Sequence, residues 1–421
     1  DRGLTPKYFE VKKVYQPMKV EVENINDSNI ILKVTNRNHF INLNEYDVKW
    51  FVIANGDTLK SGNTIFNIPY GKSKSISVQI GKYSTVNEND VYLRISFRLK
   101  ENTLWAEKGY EIGFEQLQIK KGLPHSTNKS KPLKSVIKDG NKILTSGQGF
   151  DAIFDMQAAT LSSLKYGGEE MLVSSPIFQG YRSPVDNDKG FGNWLAKDWK
   201  QQGLDSLQRV VNNCEVIQET SDFIKIKTTV SNLSKNGNIE HTAIWTINGN
   251  GSIDIENSFT QKGQLPELPR LGIVMPLNQN LEQFEWYGHG PYENYSDRKE
   301  SSPIGLYRST VTDQYIPYPR PQDTGNKENV EWLKLTDKKG KGIQISCTSG
   351  LMSASALHFT ASDFDNASHA YLLKPRKETI LSLDAIMLGL GNSSCGPGVL
   401  KKYAIEKRTY NLNISIKPEN K

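Results

Sequence analysis

The chain has 421 residues, 37% hydrophobic and 23% charged, which is enough for two or three globular domains. Its 52 basic and 46 acidic residues give a formal net charge of +6 and are mixed along the chain, without a basic face rich in aromatics, which argues against nucleic acid as a partner. No apolar run approaches the ~20 residues of a membrane span, so no membrane association is expected either.

The first residues point to a longer parent. The sequence begins at Asp1 with no initiator methionine and no hydrophobic region of a signal peptide. We therefore expect a piece of a longer chain, whose missing targeting signals leave the compartment open. Cys214, Cys347 and Cys395 do not decide it either, because their spacing fits no zinc or redox motif and an odd count builds no disulfide framework.

Alternating polar and apolar residues predict a first β-sandwich over residues 19–120. The turn Ala54-Asn55-Gly56-Asp57 has the Asn-Gly pair that tolerates positive φ in a hairpin. Short strands at ~8–12-residue spacing are typical of an immunoglobulin or fibronectin sandwich. The predicted strands are Lys19–Ile25, Asn29–Val34, Tyr46–Ile53, Lys74–Ile80, Val91–Leu99 and Tyr110–Ile119.

A second, larger all-β domain is predicted over residues 135–421. Residues 121–134 are rich in Gly, Pro, Ser, Asn and Lys and are interpreted as a linker. No second linker interrupts the strands that follow, which favours one large sandwich. One short helix is predicted at 193–203, where Asn193 can cap the start and Gly203 the end.

Five stretches of the second domain occur in the order of one known family. They are Gly147–Gly168, Tyr181–Gly190 (R-x-P-x-D-N-D-x-G), Trp194–Gly203, Trp286–Arg298 (G-x-G-P-x-E-N-Y-x-D-R) and Tyr315–Asn326. Together they resemble the small-chain domain of glycoside hydrolase family 2 β-galactosidases. Residues 1–15 resemble the segment that leaves the catalytic barrel in that family, so the resemblance spans nearly the whole chain.

The resemblance implies a fold and an activity. Residues 1–18 would be the exit of a missing catalytic barrel, 19–120 the family's fourth domain, and 135–421 a galactose-mutarotase-like supersandwich. The parent would hydrolyse terminal β-galactosides with retention, which needs two carboxyl groups ~5 Å apart. In the family both are glutamates of the barrel, so this chain would hold no catalytic residue, and alone it should be inactive.

The resemblance also implies ligands and partners. A β-galactoside and the barrel of the same parent chain would be the partners, with subunit contacts of a homo-oligomer also expected. No cofactor is expected in this chain, and a divalent cation would belong to the missing barrel.

The clearest candidate for a sugar contact is the loop Leu388–Gly398. In the family this loop carries a Trp that stacks on the sugar in the leaving-group position. Here the loop is one residue shorter and Cys395 stands at that place. We expect Asn392, Ser394 and Cys395 to border the sugar.

Two further motifs have both a functional and a structural interpretation. The run Asp186-Asn187-Asp188 could bind sugar hydroxyls or a cation, or it could tie a loop to its own backbone. Trp194 and Trp199 could stack on a pyranose, but five positions apart on a helix they cannot share one face, so at least one should pack in the core. The predicted carbohydrate contacts are Arg182, Asp186, Asn187, Asp188 and Trp194, with the three loop residues.

Two rival functions stay open on the sequence. His289 and Glu293 could form the acid and base of an autonomous aldose mutarotase or epimerase, although their stretch also resembles a structural turn of the family. The second rival is a carbohydrate-binding or assembly module without chemistry of its own. Fold alone does not choose between these functions.

Overall fold

The computed structural model of this chain describes residues 3–26, 28–83, 90–122, 131–190 and 194–419. The described residues form two compact units: residues 3–122 with 300–306, and residues 131–299 with 307–419. The all-β prediction is confirmed, because antiparallel strands make up most of both units. Within these ranges no helix combines the length and apolarity needed to cross a bilayer.

The described residues of the first unit form one α-helix and seven strands, with a short 3-10 helix at Leu43–Glu45. Strands β1, β2 and β5 form one sheet, and β4, β3, β6 and β7 form the other, in these orders. The elements are α1 Pro6–Val14, β1 Met18–Asn26, β2 Asn29–Asn36, β3 Tyr46–Ala54, β4 Asp57–Thr64, β5 Ser73–Gln79, β6 Val91–Leu99 and β7 Glu111–Lys120.

Local sequence explains these strands. Every second residue of β3 is buried, as expected for a strand with one face on a core. The turn between β3 and β4 is the predicted one, with φ of 50° at Asn55 and 88° at Gly56. Such φ values favour Asn and Gly, so the dipeptide sets the register in which Ala54 faces Asp57.

Helix α1 was not predicted from the sequence, and its omission is an error. The signal was present: Pro6 occupies the first helical turn directly after Thr5. The helix is held by contacts distant in sequence, since Lys13 Nζ lies 2.8 Å from a carboxylate oxygen of Glu115 on β7.

The second unit contains three sheets. Their strand orders are β12-β11-β10-β9-β8, β13-β18-β25-β24-β21, and β14-β15-β16-β17-β26-β23-β22-β19-β20. The first part of the unit has β8 Ser135–Asp139, β9 Lys142–Gly147, β10 Phe150–Asp155, β11 Thr160–Tyr166, β12 Glu169–Glu170, β13 Ile177–Gln179, α2 Asp186–Lys189, α3 Trp194–Gln202, β14 Gln208–Glu219, β15 Phe223–Leu233, β16 Gly237–Asn248 and β17 Ile253–Gly263. The rest has β18 Arg270–Leu277, β19 Gln283–His289, β20 Ile304–Thr310, β21 Lys327–Val330, β22 Trp332–Thr336, β23 Gly342–Cys347, β24 Met352–Leu357, α4 Ala361–Asn366, β25 Thr379–Met387 and β26 Thr409–Glu419.

One large apolar cluster fills the second unit. It draws residues from all three sheets and includes Phe154, Phe259 and Trp286, each almost fully buried. The predicted helix is confirmed as α3, although its expected cap Asn193 lies outside the described residues. The predicted linker 121–134 also lies largely outside them, at 123–130.

Candidate functional site

Two motifs that are far apart in sequence meet through one side chain. Asn187, in the short helix α2, donates from Nδ2 to the carbonyl oxygen of Gly391 at 2.5 Å. Its Oδ1 accepts from Ser394 Oγ at 2.5 Å and lies 3.4 Å from the Ser394 backbone nitrogen. Asn187 therefore uses both ends of its amide to hold the loop that carries three of the predicted sugar contacts.

The loop has a defined shape of its own. The Asn392 carbonyl accepts from the backbone nitrogens of Cys395 at 3.0 Å and Gly396 at 2.6 Å, and the Asn392 nitrogen donates to the Pro397 carbonyl at 3.0 Å. These bonds close a tight turn. The side chains of Asn392, Ser394 and Cys395 are all exposed on it.

Asp297 anchors the loop from the other side. Its carboxylate accepts from the backbone nitrogens of Leu390 at 3.0 Å and Gly391 at 2.8 Å. Asp297 lies in the family-like stretch Trp286–Arg298, but no role is predicted for it from the sequence. No sequence signal identifies its role, because the carboxylate and its two amide donors are 93 and 94 positions apart and only the fold brings them together.

The two tryptophans take opposite roles. Trp194 is half exposed, and a Cβ added to Gly190 would lie 3.1 Å from its indole and 3.4 Å from the Ser393 carbonyl oxygen. Gly190 thus lies between the indole and the loop. Trp199 is fully buried and donates from Nε1 to the Glu267 carbonyl at 2.7 Å, which confirms core packing for one of the pair.

We call the surface formed by the half-buried Asn187 and the exposed Trp194, Asn392, Ser394 and Cys395 the Asn187 face. Asp186 is also exposed next to it, and its Oδ2 lies 3.3 Å from Nε2 of Gln322. The face offers hydroxyl, amide and thiol groups beside one aromatic ring. Such groups can bind sugar hydroxyls and the apolar C–H side of a pyranose.

Arg182 and Asp188 require a correction, because both lie in the interior. Their side chains are 0% and 1% exposed and form an ion pair with distances of 2.5 and 3.1 Å. Asp188 also accepts from the Val185 nitrogen at 2.7 Å, and the Arg182 guanidinium lies 5.3 Å from the centre of the Trp199 ring. This enclosed ion pair holds α2 in position through Asp188, and it presents no surface to a sugar.

The His289 and Glu293 pair of a mutarotase is not formed. The buried Glu293 carboxylate accepts from Arg298 Nη2 at 2.6 Å, Thr324 Oγ1 at 2.7 Å and the Gly325 nitrogen at 2.8 Å. Burial raises the pKa of Glu293, but Arg298 and the hydrogen bonds outweigh it and hold the pKa below its usual value. His289 Nε2 instead lies 3.2 Å from Nδ2 of Asn329.

Metal ligands do not cluster in the parts of the chain that the structure describes. No group of three or more His, Cys, Asp or Glu side chains there could hold an ion. The carboxylates of the run at 186–188 diverge, since Asp188 turns to Arg182 while Asp186 is exposed. The cation interpretation of this run therefore has no geometric support.

Comparisons with known proteins agree with the five stretches. Residues 146–416 match the family described as Beta galactosidase small chain, and residues 32–120 match Beta-galactosidase, domain 4. A beta-galactosidase of Priestia megaterium is 29% identical over 428 residues, covering 99% of this chain and 40% of the relative. One of Clostridium acetobutylicum is 32% identical over 316 residues, covering 74% of this chain and 33% of the relative.

Among solved structures, a putative aldose 1-epimerase of Escherichia coli aligns with a TM-score of 0.37 and 8% identity, covering 66% of this chain and 99% of that one. Of the beta-galactosidase of Priestia megaterium, the first of these relatives, the chain spans about 40% of the length.

Proposed function

The chain belongs to the β-galactosidase family and corresponds to a C-terminal part of its longer members, and from that premise we propose that it completes the active site of a retaining β-galactosidase. In this proposal the catalytic glutamates lie on a barrel outside the chain. The Asn187 face forms part of the wall around the leaving group of a terminal β-galactoside.

One observation carries the proposal: Asn187 joins two family-like motifs that are about 200 residues apart, and the loop it holds exposes Asn392, Ser394 and Cys395. The amide of Asn187 and the carboxylate of Asp297 both form hydrogen bonds with backbone groups of one loop. Such reinforcement suits a surface whose geometry must be kept, because binding groups work best when pre-organised.

The mutarotase rival has weaker support. Its acid and base must reach one sugar, yet Glu293 is enclosed by donors that stabilise its charged form and His289 faces Asn329. We expect no acceleration of the interconversion of α- and β-galactose, followed by polarimetry. Acceleration that His289→Ala abolishes would favour the mutarotase over the β-galactosidase part.

The chain alone should lack hydrolytic activity. With both glutamates of the retaining mechanism outside it, no described carboxyl pair has a role in glycosidic cleavage. Incubation with a chromogenic β-galactoside at high protein concentration should give no turnover above the buffer blank. Turnover that persists through repurification and co-elutes with the chain would contradict this assignment.

The wall itself is tested in the full-length enzyme with Asn187→Ala. Loss of the amide frees the loop, so the ratio of galactosyl transfer to added glucose over hydrolysis should change. Asn212→Ala is the matched control, because it likewise removes an asparagine amide that is hydrogen-bonded to a serine hydroxyl: Asn212 on β14 donates to Ser231 Oγ on β15 at 2.7 Å. An equal ratio in both variants would place the Asn187 face away from the leaving group.

A further inference from the structure

A cleft of about 460 Å³ lies over one face of the sheet β13-β18-β25-β24-β21. Its floor comes from β13, β18, β24 and β25, and its rim from helix α4 and from residues 204–207 after α3. No residue of the loop Leu388–Gly398 is among the described residues that line it. The cleft is therefore separate from the Asn187 face.

The floor mixes polar and apolar side chains, since Ser355 and Ser382 line it together with Val274, Leu357 and Ile380. On β25, Leu381 and Leu383 enter the core while Ser382 lines the cleft. On β24 the buried alanines at 354 and 356 alternate in the same way with Ser355. Because side chains alternate between the faces of a strand, and Ser355 lies directly opposite Ser382, the two hydroxyls are neighbours on the cleft face.

These floor groups have unused hydrogen-bonding capacity. Ser355 and Ser382 are 7% and 4% exposed, and within the described ranges neither hydroxyl bonds to another residue. Gln179 on β13 also lines the cleft, and its Oε1 is buried without a partner in the described chain. A hydroxyl is both donor and acceptor, and buried polar groups normally find partners, so the floor is suited to a ligand that both donates and accepts.

The charges around the cleft cancel. Three basic and three acidic side chains line it: Lys200, Arg209, Arg270, Asp205, Asp323 and Asp365. Arg270 is already paired within the chain, with Asp384 and, at 4.0 Å, with Asp323, and Asp365 accepts hydrogen bonds from the neutral hydroxyls of Tyr181 and Ser183 at 2.7 and 2.6 Å. A neutral ligand therefore fits better than a phosphate or a cation.

The rim adds an apolar surface. Phe359 and Phe364 line the cleft with ring centroids 5.4 Å apart, and the small parts of them that are exposed, 8% and 3%, are its apolar portion. Polar groups on the floor and phenyl rings at the rim together match a molecule with hydroxyl groups on its edge and C–H groups on its face.

We propose that this cleft binds a single neutral monosaccharide ring. Its volume lies in the roughly 300–1,000 Å³ range of small-molecule sites. The hydroxyls of Ser355 and Ser382 and the amide of Gln179 bond the ring hydroxyls, and the phenyl rings contact its C–H face. The site goes beyond the proposed function and stands independently of it, because it shares no residue with the Asn187 face.

The test titrates the 421-residue chain with D-galactose, observed by calorimetry and by saturation-transfer NMR. We expect saturable binding with a Kd of about 1–10 mM. The double variant Ser355→Ala and Ser382→Ala should weaken it at least about tenfold. The matched control is Ser346→Ala with Ser415→Ala, because these serines are also directly opposite each other on neighbouring strands but lie outside the cleft.

Thermal unfolding checks that all variants fold. Should the double variant be unstable, Gln179→Leu on the short strand β13 provides a second measurement, with the same expected loss.

Three results would overturn the proposal. The first is no saturable binding of galactose, glucose or methyl β-galactoside up to about 100 mM. The second is an unchanged Kd in the folded cleft variants. The third is binding that Asn187→Ala abolishes while the cleft variants keep it, which would move the sugar to the Asn187 face. Failure of the leaving-group experiment leaves these outcomes unaffected.

Discussion

Asn187 and Asp188 are neighbours in one family-like motif, yet they belong to different regions of the molecule. Asn187 is part of the exposed Asn187 face, where neutral hydrogen bonds hold a loop. Asp188 is part of what we call the buried ion layer, the ion pairs Arg182–Asp188, Glu293–Arg298 and Arg270–Asp384. The comparison teaches that one motif can contain both the proposed binding surface and its buried support.

The two regions differ in what a lost partner leaves behind. A loop residue that loses an exposed hydrogen bond can bond to water instead. A charge in the ion layer has no water to replace its partner, since at least one side chain of each pair is 1% exposed or less. Substitutions in the layer should therefore change stability, and substitutions on the face should change recognition.

The largest expected effect is on Arg182. Arg182→Met leaves the Asp188 carboxylate buried without its cation, which should cost about 3–5 kcal/mol in the free energy of unfolding. Urea unfolding of the chain measures it. The control is Arg308→Met, because Arg308 pairs with Glu285 while 72% exposed, and such surface pairs contribute little. Equal losses in both variants would contradict the distinction between layer and surface.

The second effect depends on pH and concerns Asp323. Burial raises the pKa of this carboxyl to about 6, against the attraction of Arg182 and Arg270. Because the folded-state pKa lies above the unfolded value, the folded state binds the proton more tightly, and stability rises as pH falls from 7 towards 4. A shift of about two pKa units corresponds to at most about 3 kcal/mol.

Asp323→Asn should reduce this rise in stability between pH 7 and pH 5, because asparagine does not bind the proton. Its amide oxygen can still accept the hydrogen bond that Tyr295 donates at 2.8 Å, so the contact is kept. Urea unfolding at several pH values measures the slope for both proteins. Asp198→Asn, at an exposed position of α3, should keep the original slope. An Asp323→Asn slope identical to the original would mean that this carboxyl does not titrate as described.

A smaller effect, about 1 kcal/mol or less, is expected for Asn187→Ala, because its lost hydrogen bonds are near the surface. The loop should open more often, so thiol reagents should label Cys395 faster, as followed by mass spectrometry. Cys395 should already be the first cysteine labelled in the unaltered chain, since burial raises the pKa of Cys347 and raises that of Cys214 to about 11. Labelling of Cys347 before Cys395 would contradict the exposed position of the loop.

An effect of similar size is expected for Cys395→Trp in the full-length enzyme. An indole at this exposed position could stack on the leaving-group sugar, adding on the order of 1 kcal/mol. That is roughly a fivefold change in affinity, and it should appear in the ratio of transfer to added glucose over hydrolysis. Hydrolysis of the common galactosyl intermediate should change little. A ratio that stays constant in an active, folded variant would assign the loop to scaffolding.

Local patterns were enough for the architecture and for the motifs. Alternation in β3 and the Asn55-Gly56 turn depend on neighbours in sequence, so the all-β prediction and this hairpin followed from them. Helix α1 was missed because its Pro6 signal is short and its support from Glu115 is about 100 residues away.

The roles of individual site residues depended on tertiary structure. Asn187 and Ser394 are 207 positions apart, and no spacing rule relates them. Within α2, burial of Asp188 beside an exposed Asp186 depends on where the guanidinium of Arg182 lies. The cleft hydroxyls Ser355 and Ser382 meet only through strand pairing. The alternation of polar and apolar residues and the residue preferences of turns are local, so they can be predicted from the sequence. Burial and charge pairing are properties of the packed molecule.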